Sequence, residues 1–177
     1  MKLTPYKRLV LIAGVFFLGL GLWSGTIAQG VAGSDSLKPL PDTIVPFARD
    51  HIVIKKANGE SLGFNVEIAE SERQQEYGLM NRLTLPRDSG MLFLFRGEGK
   101  RVFWMKDTLI PLDMLFVSHD GAIHHIHHNA KPQDLTGITS EADSLAVLEL
   151  KGGTCDRLGI KEGDKILYTV FKNVGIH

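Results

Sequence analysis

Five of the seven histidines, His119, His124, His125, His127 and His128, fall within ten residues of one another. On an extended chain successive side chains alternate, so His125 and His127 project to one face, while His124 and His128 project to the other beside Ile126. A His-x-His pair on one strand face offers two imidazole nitrogens to zinc or copper, which makes His125 and His127 the candidate metal ligands. The competing reading is a polar, exposed hairpin end whose charge changes near neutral pH.

A second set of chemistry-bearing residues lies in the run Phe103-Trp104-Met105-Lys106-Asp107-Thr108-Leu109-Ile110-Pro111-Leu112-Asp113. Its bulky residues could line a pocket on which Arg82, Lys106, Asp107 and Asp113 converge, with Trp104 as an apolar wall and Glu149 as a further ligand-binding candidate, the usual composition of a ligand site. Two carboxylates beside cations could also exchange protons, although their spacing alone does not put them on one substrate. The structural reading has Pro111 ending ladder bonding while Asp107 and Asp113 cap backbone amides. Glu149, between Leu148 and Leu150, is either an internal carboxylate paired with Arg82 or Lys106, or the wet side of an outer strand.

Common catalytic signatures are missing from the sequence. It has no G-x-S-x-G elbow, phosphate-binding loop, dinucleotide glycine fingerprint or H-E-x-x-H helix, and nothing marks Cys155 as paired with a base. With no recognised catalytic motif, a binding module is the first expectation. A metal-dependent or acid/base enzyme of the cell envelope, using Arg82, Asp107 and Asp113 or the His-rich region, is the alternative.

The elements that must position these residues read mostly as strands. His51–Lys56 and Leu62–Ile68 alternate around Asn58-Gly59, and Leu112–Ser118 and Ala122–His128 flank Asp120-Gly121. Both dipeptides suit a tight hairpin turn. If the second loop has two residues, His127 faces Met114 and His128 faces Asp113. Gly90–Phe95 and Val102–Met105 are apolar on both faces, as in strands buried on two sides of a small barrel. Leu145–Leu150 and Lys165–Phe171 complete the strands. Ser71 with Gln74 resembles a capping box before a short helix over Glu72–Tyr77 that Gly78 ends, and Thr154–Leu158 suits one further helical turn. The expected fold is mainly β: a small closed or pseudo-barrel of seven to eight short strands, built from antiparallel hairpins, with one or two short helices.

The runs Gly78-Leu79-Met80-Asn81-Arg82, Gly90-Met91-Leu92-Phe93, Phe103 to Phe116, Leu148-Glu149-Leu150 and Gly159-Ile160-Lys161-Glu162-Gly163-Asp164 resemble the DUF192 family from about His51 to Tyr168. The resemblance implies a compact, β-rich, often exported domain with no established activity. Asp107 departs from that pattern, which commonly has Asn there, and the His-rich run after Gly121 is not part of it.

The chain holds 20 basic and 20 acidic side chains and one cysteine among its 177 residues. One cysteine excludes an internal disulfide and a cysteine-based zinc cluster. Lys2, Lys7 and Arg8 precede the apolar run Leu9–Leu22, and Thr26-Ile27-Ala28 supplies small residues before a cut at Gln29. These are the three parts of a secretory signal peptide, with an uncleaved membrane anchor as the alternative. Without those three cations the balance is −3, which disfavours nucleic acid as a partner. The expected organisation is a signal peptide over residues 1–28, a Pro- and Gly-rich linker over 29–49, the barrel over 50–172 and a tail over 173–177. The protein is expected to be an exported, periplasmic or extracellular monomer. Its partner would be a small ligand or an envelope protein, and the membrane would be touched only through an uncleaved signal segment. No cofactor beyond zinc or copper at the histidines is expected.

Overall fold

The structure, a computed structural model, describes residues 45–174. The expected signal peptide, most of the linker and the last three residues of the tail lie outside the described residues. No helix among the described residues is long and apolar enough to cross a membrane.

The protein is mainly β, as its alternating apolar pattern predicts. A seven-stranded sheet contains β1 (Ala48–Lys55), β2 (Ser61–Ala69), β3 (Ser89–Gly99), β5 (Leu112–Val117), β6 (Ile123–Ala130), β8 (Ser144–Lys151) and β9 (Lys165–Leu167), in the spatial order β6-β5-β8-β3-β2-β1-β9. Two short strands, β4 (Val102–Phe103) and β7 (Ile138–Thr139), form a separate ribbon. The sheet curls into a half-barrel. At one end its edges meet, because β9 pairs with β1 and also forms a bridge between Lys165 and Ala122 at the start of β6. Ile166 N donates to Gly121 O at 2.8 Å and Ile123 N to Asp164 O at 2.9 Å across that seam.

Each face of the sheet has its own apolar cluster. One draws side chains from all seven strands, including Ile54, Phe64, Leu92, Leu115, Ile126, Leu148 and Ile166, and is therefore the barrel interior. The other lies on the outer face, where Met91, Phe93, Met114, Phe116 and Val147 are covered by Leu79, Leu85, Met105 and Ile110 from the connecting loops. Strands buried on both faces lose polar alternation, which explains the continuous run Gly90–Leu94.

Several local expectations need correction. The β2–β3 pair is parallel, and a parallel pair requires a crossover rather than a hairpin. The crossover carries α1 (Glu72–Tyr77), whose N-cap Ser71 and Gln74 form the expected capping box and whose C-cap is Gly78. Val102–Met105 is not a two-sided strand: only Val102 and Phe103 pair, with Thr139 and Ile138. Lying over the sheet as a cover, this segment buries Met105 and part of Phe103 but leaves Val102 and Trp104 60% and 54% exposed. The last apolar run is strand only to Leu167, then turns into a 3-10 helix over Thr169–Phe171. The two hairpin loops are longer than two residues: Lys55 pairs with Ser61, and Val117 with Ile123. Each loop places only its glycine at positive φ, Gly59 at 90° and Gly121 at 84°. β1 begins at Ala48, so the last two residues of the expected linker belong to the sheet. The second helical turn, α2, spans Thr154–Leu158 as the sequence suggests.

Candidate functional site

Residues paired across adjacent strands share a face. Reading the register outward from β2 gives a row on the outer face: Glu67, Met91, Glu149, Met114 and His127. The next row is Ala69, Phe93, Val147, Phe116 and His125. His125 and His127 therefore do share a face, and His127 does pair with Met114. A bulge near His124 offsets the longer loop and restores that register.

Above the histidine end of these rows lies a cleft of about 370 Å³ lined by Met105, His125, His127, Lys131, Asp134, Thr136, Gly137, Ile138, Thr139 and Glu141. Its cover is pinned through the backbone. Met105 N donates to Asp134 O at 2.9 Å, Gln133 N donates to Thr108 O at 3.1 Å, and the β4–β7 ribbon ties Val102 and Phe103 to Thr139 and Ile138. Phe103 anchors the ribbon by packing edge-on against Phe93 at 5.1 Å and Phe116 at 6.2 Å. Gln133 and Glu141 bound this segment with φ of 61° and 54°, a left-handed conformation that residues other than Gly, Asn and Asp seldom take.

The imidazoles are held differently from one another. His125 stacks on Phe116, with centroids 5.6 Å apart and an interplanar angle of 26°. Its Nδ1 lies 3.4 Å from a Glu162 carboxylate oxygen and 3.7 Å from one of Glu141. Desolvation, followed by the neighbouring His125 and His128, holds His127 below the ordinary imidazole range. His124 is lowered too, by desolvation and then His125, and its Nε2 is 2.9 Å from Ser144 Oγ. His128 points toward a second cleft, of about 450 Å³, which it lines with Ile126, Cys155, Asp156, Gly159, Ile160, Lys161 and Glu162. Its Nδ1 is 3.2 Å from Asp156 Oδ1. Among the described residues, no three His, Cys, Asp or Glu side chains come together to hold a metal ion.

The remaining candidates are dispersed. Arg82 is paired with Glu67 rather than Glu149, and Arg49 joins the same carboxylate at 3.5 Å. The Arg82 and Asp107 segments do meet, through Asn81 N donating to Asp107 O at 2.8 Å. Lys106 and Asp107 are exposed there, and Trp104 points outward and lines neither of the two clefts. Asp113 faces away from Glu149, because it pairs with Leu150 rather than with a residue of the outer face. Its carboxylate accepts the amides of Asn129 at 2.8 Å, Gly153 at 3.0 Å and Cys155 at 2.8 Å. Glu149 lies on the covered outer face, 4% exposed, between Met91 and Met114. Among the described residues its carboxyl makes no hydrogen bond or ion pair, and burial pushes its pKa up to about 8. It is thus neither the paired carboxylate nor the wet side chain that its position in the strand suggests.

The residues that sequence reasoning missed are Lys131, Asp134, Thr136–Thr139 and Glu141. The signal in Pro132-Gln133-Asp134 and Thr136-Gly137-Ile138-Thr139 is only that of a polar turn followed by a two-residue strand.

The DUF192 family model, described as "Uncharacterized ACR", matches residues 53–168. The chain belongs to the DUF192 family. Two crystal structures share its fold. One, a protein of Sinorhizobium meliloti 1021 described as a candidate transcription regulator, is 39% identical over 72% of this chain and 99% of its own, with a TM-score of 0.71. The other, a protein of unknown function from Novosphingobium aromaticivorans DSM 12444, is 34% identical over 79% of this chain and all of its own, with a TM-score of 0.68. No curated protein shows significant similarity to the chain.

Proposed function

We propose that this DUF192 protein is an exported binding module that holds a small ligand in the cleft between β6 and the β4–β7 ribbon. The observation that carries this reading is the meeting of the two unusual sequence features at one place. Met105, from the Phe103–Asp113 run, and His125 and His127, from the His-rich strand, line the same cleft. Its wall is a segment bounded by two residues in the left-handed conformation, and backbone strain of this kind collects at ligand clamps. Lys131, Asp134 and Glu141 beside Met105 and Ile138 give the mixture of charged and apolar groups that fixes a small molecule in one orientation.

Export rests on the sequence: a positive start, an apolar run of 14 residues from Leu9 to Leu22, and small residues at the end. The regulator description of the Sinorhizobium protein transfers poorly, since a domain three charges to the acidic side repels a phosphate backbone.

Native mass spectrometry of the full chain taken from its own compartment tests the reading. Wild type is expected to carry a bound species that a Thr136→Trp variant lacks, because Thr136 is an exposed cleft residue whose enlargement fills the cleft without disturbing the core. Equal adducts on both proteins, or none on either, would overturn the assignment of this cleft.

A further inference from the structure

We infer that the cleft takes copper in the cuprous state, ligated by the imidazoles of His125 and His127 and the thioether of Met105. This rests on the reading of the cleft as a ligand site and names the class of its occupant.

The two histidines are separated by one residue on a strand, so their Cα atoms lie about 6.6 Å apart and their rings project from one face. That is a span over which two imidazoles converge on one ion. The Glu162 and Glu141 carboxylates lie close to His125 Nδ1, at 3.4 Å and 3.7 Å. A carboxylate behind a ligating imidazole fixes its tautomer and raises its basicity. Phe116, stacked beneath His125, closes the floor against water.

The third ligand decides which metal. No set of three nitrogen, thiolate or carboxylate side chains assembles here among the described residues, whereas Met105, 1% exposed, lines the same cleft as the two histidines. A second thioether, Met114, is the register neighbour of His127 on the same face. Thioether sulfur is a soft ligand that selects cuprous copper over zinc. The other soft ligand, Cys155, lines the opposite cleft, and its thiol is pushed up out of its ordinary range by burial and then by the Asp113 charge. It therefore offers little thiolate to compete for the ion.

The test titrates the full chain with cuprous copper, under reductant, against the chromophoric chelator bicinchoninate, with zinc in a parallel series. Wild type is expected to withdraw one equivalent of copper. The His125→Ala, His127→Ala double variant and Met105→Leu should each bind about tenfold more weakly or worse, and Cys155→Ser should bind as wild type does. Circular dichroism checks that each variant is folded. X-ray absorption of copper-loaded wild type gives a readout that does not depend on variants, with a sulfur neighbour expected at the metal. Wild type that competes no better than the double variant would overturn the inference. So would unchanged affinity in Met105→Leu, loss in Cys155→Ser, or a copper shell without sulfur. If copper fails while native mass spectrometry still finds an organic adduct that Thr136→Trp removes, the copper assignment falls and the cleft stands. If neither is found, both fall.

Discussion

Asp113 on β5 accepts the backbone amide of Cys155 at 2.8 Å, from 42 residues away in sequence. The same carboxylate holds the amides of Gly153, the N-cap of α2, and Asn129, just past the His-rich stretch. A helix of five residues has too few internal bonds to stand alone, so α2 depends on this carboxylate for its first turn. Asp113→Asn keeps one acceptor oxygen and loses the charge. It is expected to lower stability by about 2–4 kcal/mol, the cost of weakening buried bonds to a charged acceptor. Urea unfolding at neutral pH, with an unchanged denaturant slope, checks this. A change below 0.5 kcal/mol would show that the clamp is dispensable.

The same relationship governs the thiol. Cys155 is fully buried, and burial, then the Asp113 charge, pushes its pKa up. Reaction requires the thiolate and access. Iodoacetamide should therefore leave the native protein unlabelled at pH 8 and label it at a rate that follows unfolding as urea is added. Labelling in the absence of denaturant at the rate of a free thiol would contradict this.

Glu149 makes stability depend on alkali. Its pKa rises from the ordinary 4.5 to about 8 in the folded protein, so the folded state keeps its proton where the unfolded chain has lost it. Its contribution to stability is then full below pH 4.5 and falls as pH rises toward 8, by an amount on the order of a few kcal/mol. Glu149→Gln should abolish that fall. Glu149→Met, which matches the flanking Met91 and Met114, should stabilise the protein at pH 8 by about 1–3 kcal/mol by removing a carboxyl whose charged form burial disfavours. Thermal unfolding from pH 5 to pH 9 reads both. A wild-type profile that runs parallel to that of Glu149→Gln above pH 6.5 would refute the assignment.

Much of the fold is legible in the sequence because its signals are local. The capping box at Ser71 and Gln74 predicts α1, and alternation in Leu62–Ile68 predicts the wet and buried sides of β2. The parallel β2–β3 pairing is not legible, since nothing local distinguishes a crossover through a six-residue helix from a hairpin with a long loop. The candidate site divides along the same line. His125 and His127 share a face because a strand has a period of two. The segment that walls them in is held by backbone bonds from Asp134 and Thr108 and by a ribbon of two residue pairs, too short to give a pattern. Glu149 deceived for the same reason. A single acidic residue in an apolar strand has the same sequence whether the outer face is wet or covered, and only the cover supplied by Leu79, Leu85 and Met105 decides.

Gly121 tests how the sheet closes. A Cβ there would lie 2.4 Å from both Ile166 O and Asn173 Nδ2, and the residue sits at φ 84°. Asn173 itself donates to Asp120 O at 3.1 Å and Ile166 O at 2.8 Å, so the glycine lies inside the seam between β9 and the start of β6. Gly59 has a similar φ of 90° with nothing within 4 Å of its Cβ position. Gly59→Ala should cost about 1 kcal/mol, the conformational penalty alone. Gly121→Ala should cost about 3 kcal/mol or more, because it also forces the seam apart. Equal losses in urea unfolding would mean that the seam adds nothing.

The acid side of the pH profile belongs to the histidines. His124 and His127 both lie below their ordinary value of 6.5, chiefly through desolvation. The unfolded chain therefore binds protons first as pH falls below 6.5, and stability is lost in that direction. Glu149 acts with the opposite slope from pH 4.5 to 8. Above pH 6.5 only Glu149 acts, and below it two imidazoles oppose one carboxyl, so these three groups place the stability maximum near pH 6.5. The His124→Asn, His127→Asn double variant should lose the acid limb and shift its maximum downward, while Glu149→Gln should shift its maximum upward. Melting temperatures of the three proteins at half-unit steps from pH 5 to pH 9 measure both displacements. A double variant whose maximum stays near pH 6.5 would show that the imidazoles on β6 are not the groups that set the acid limb.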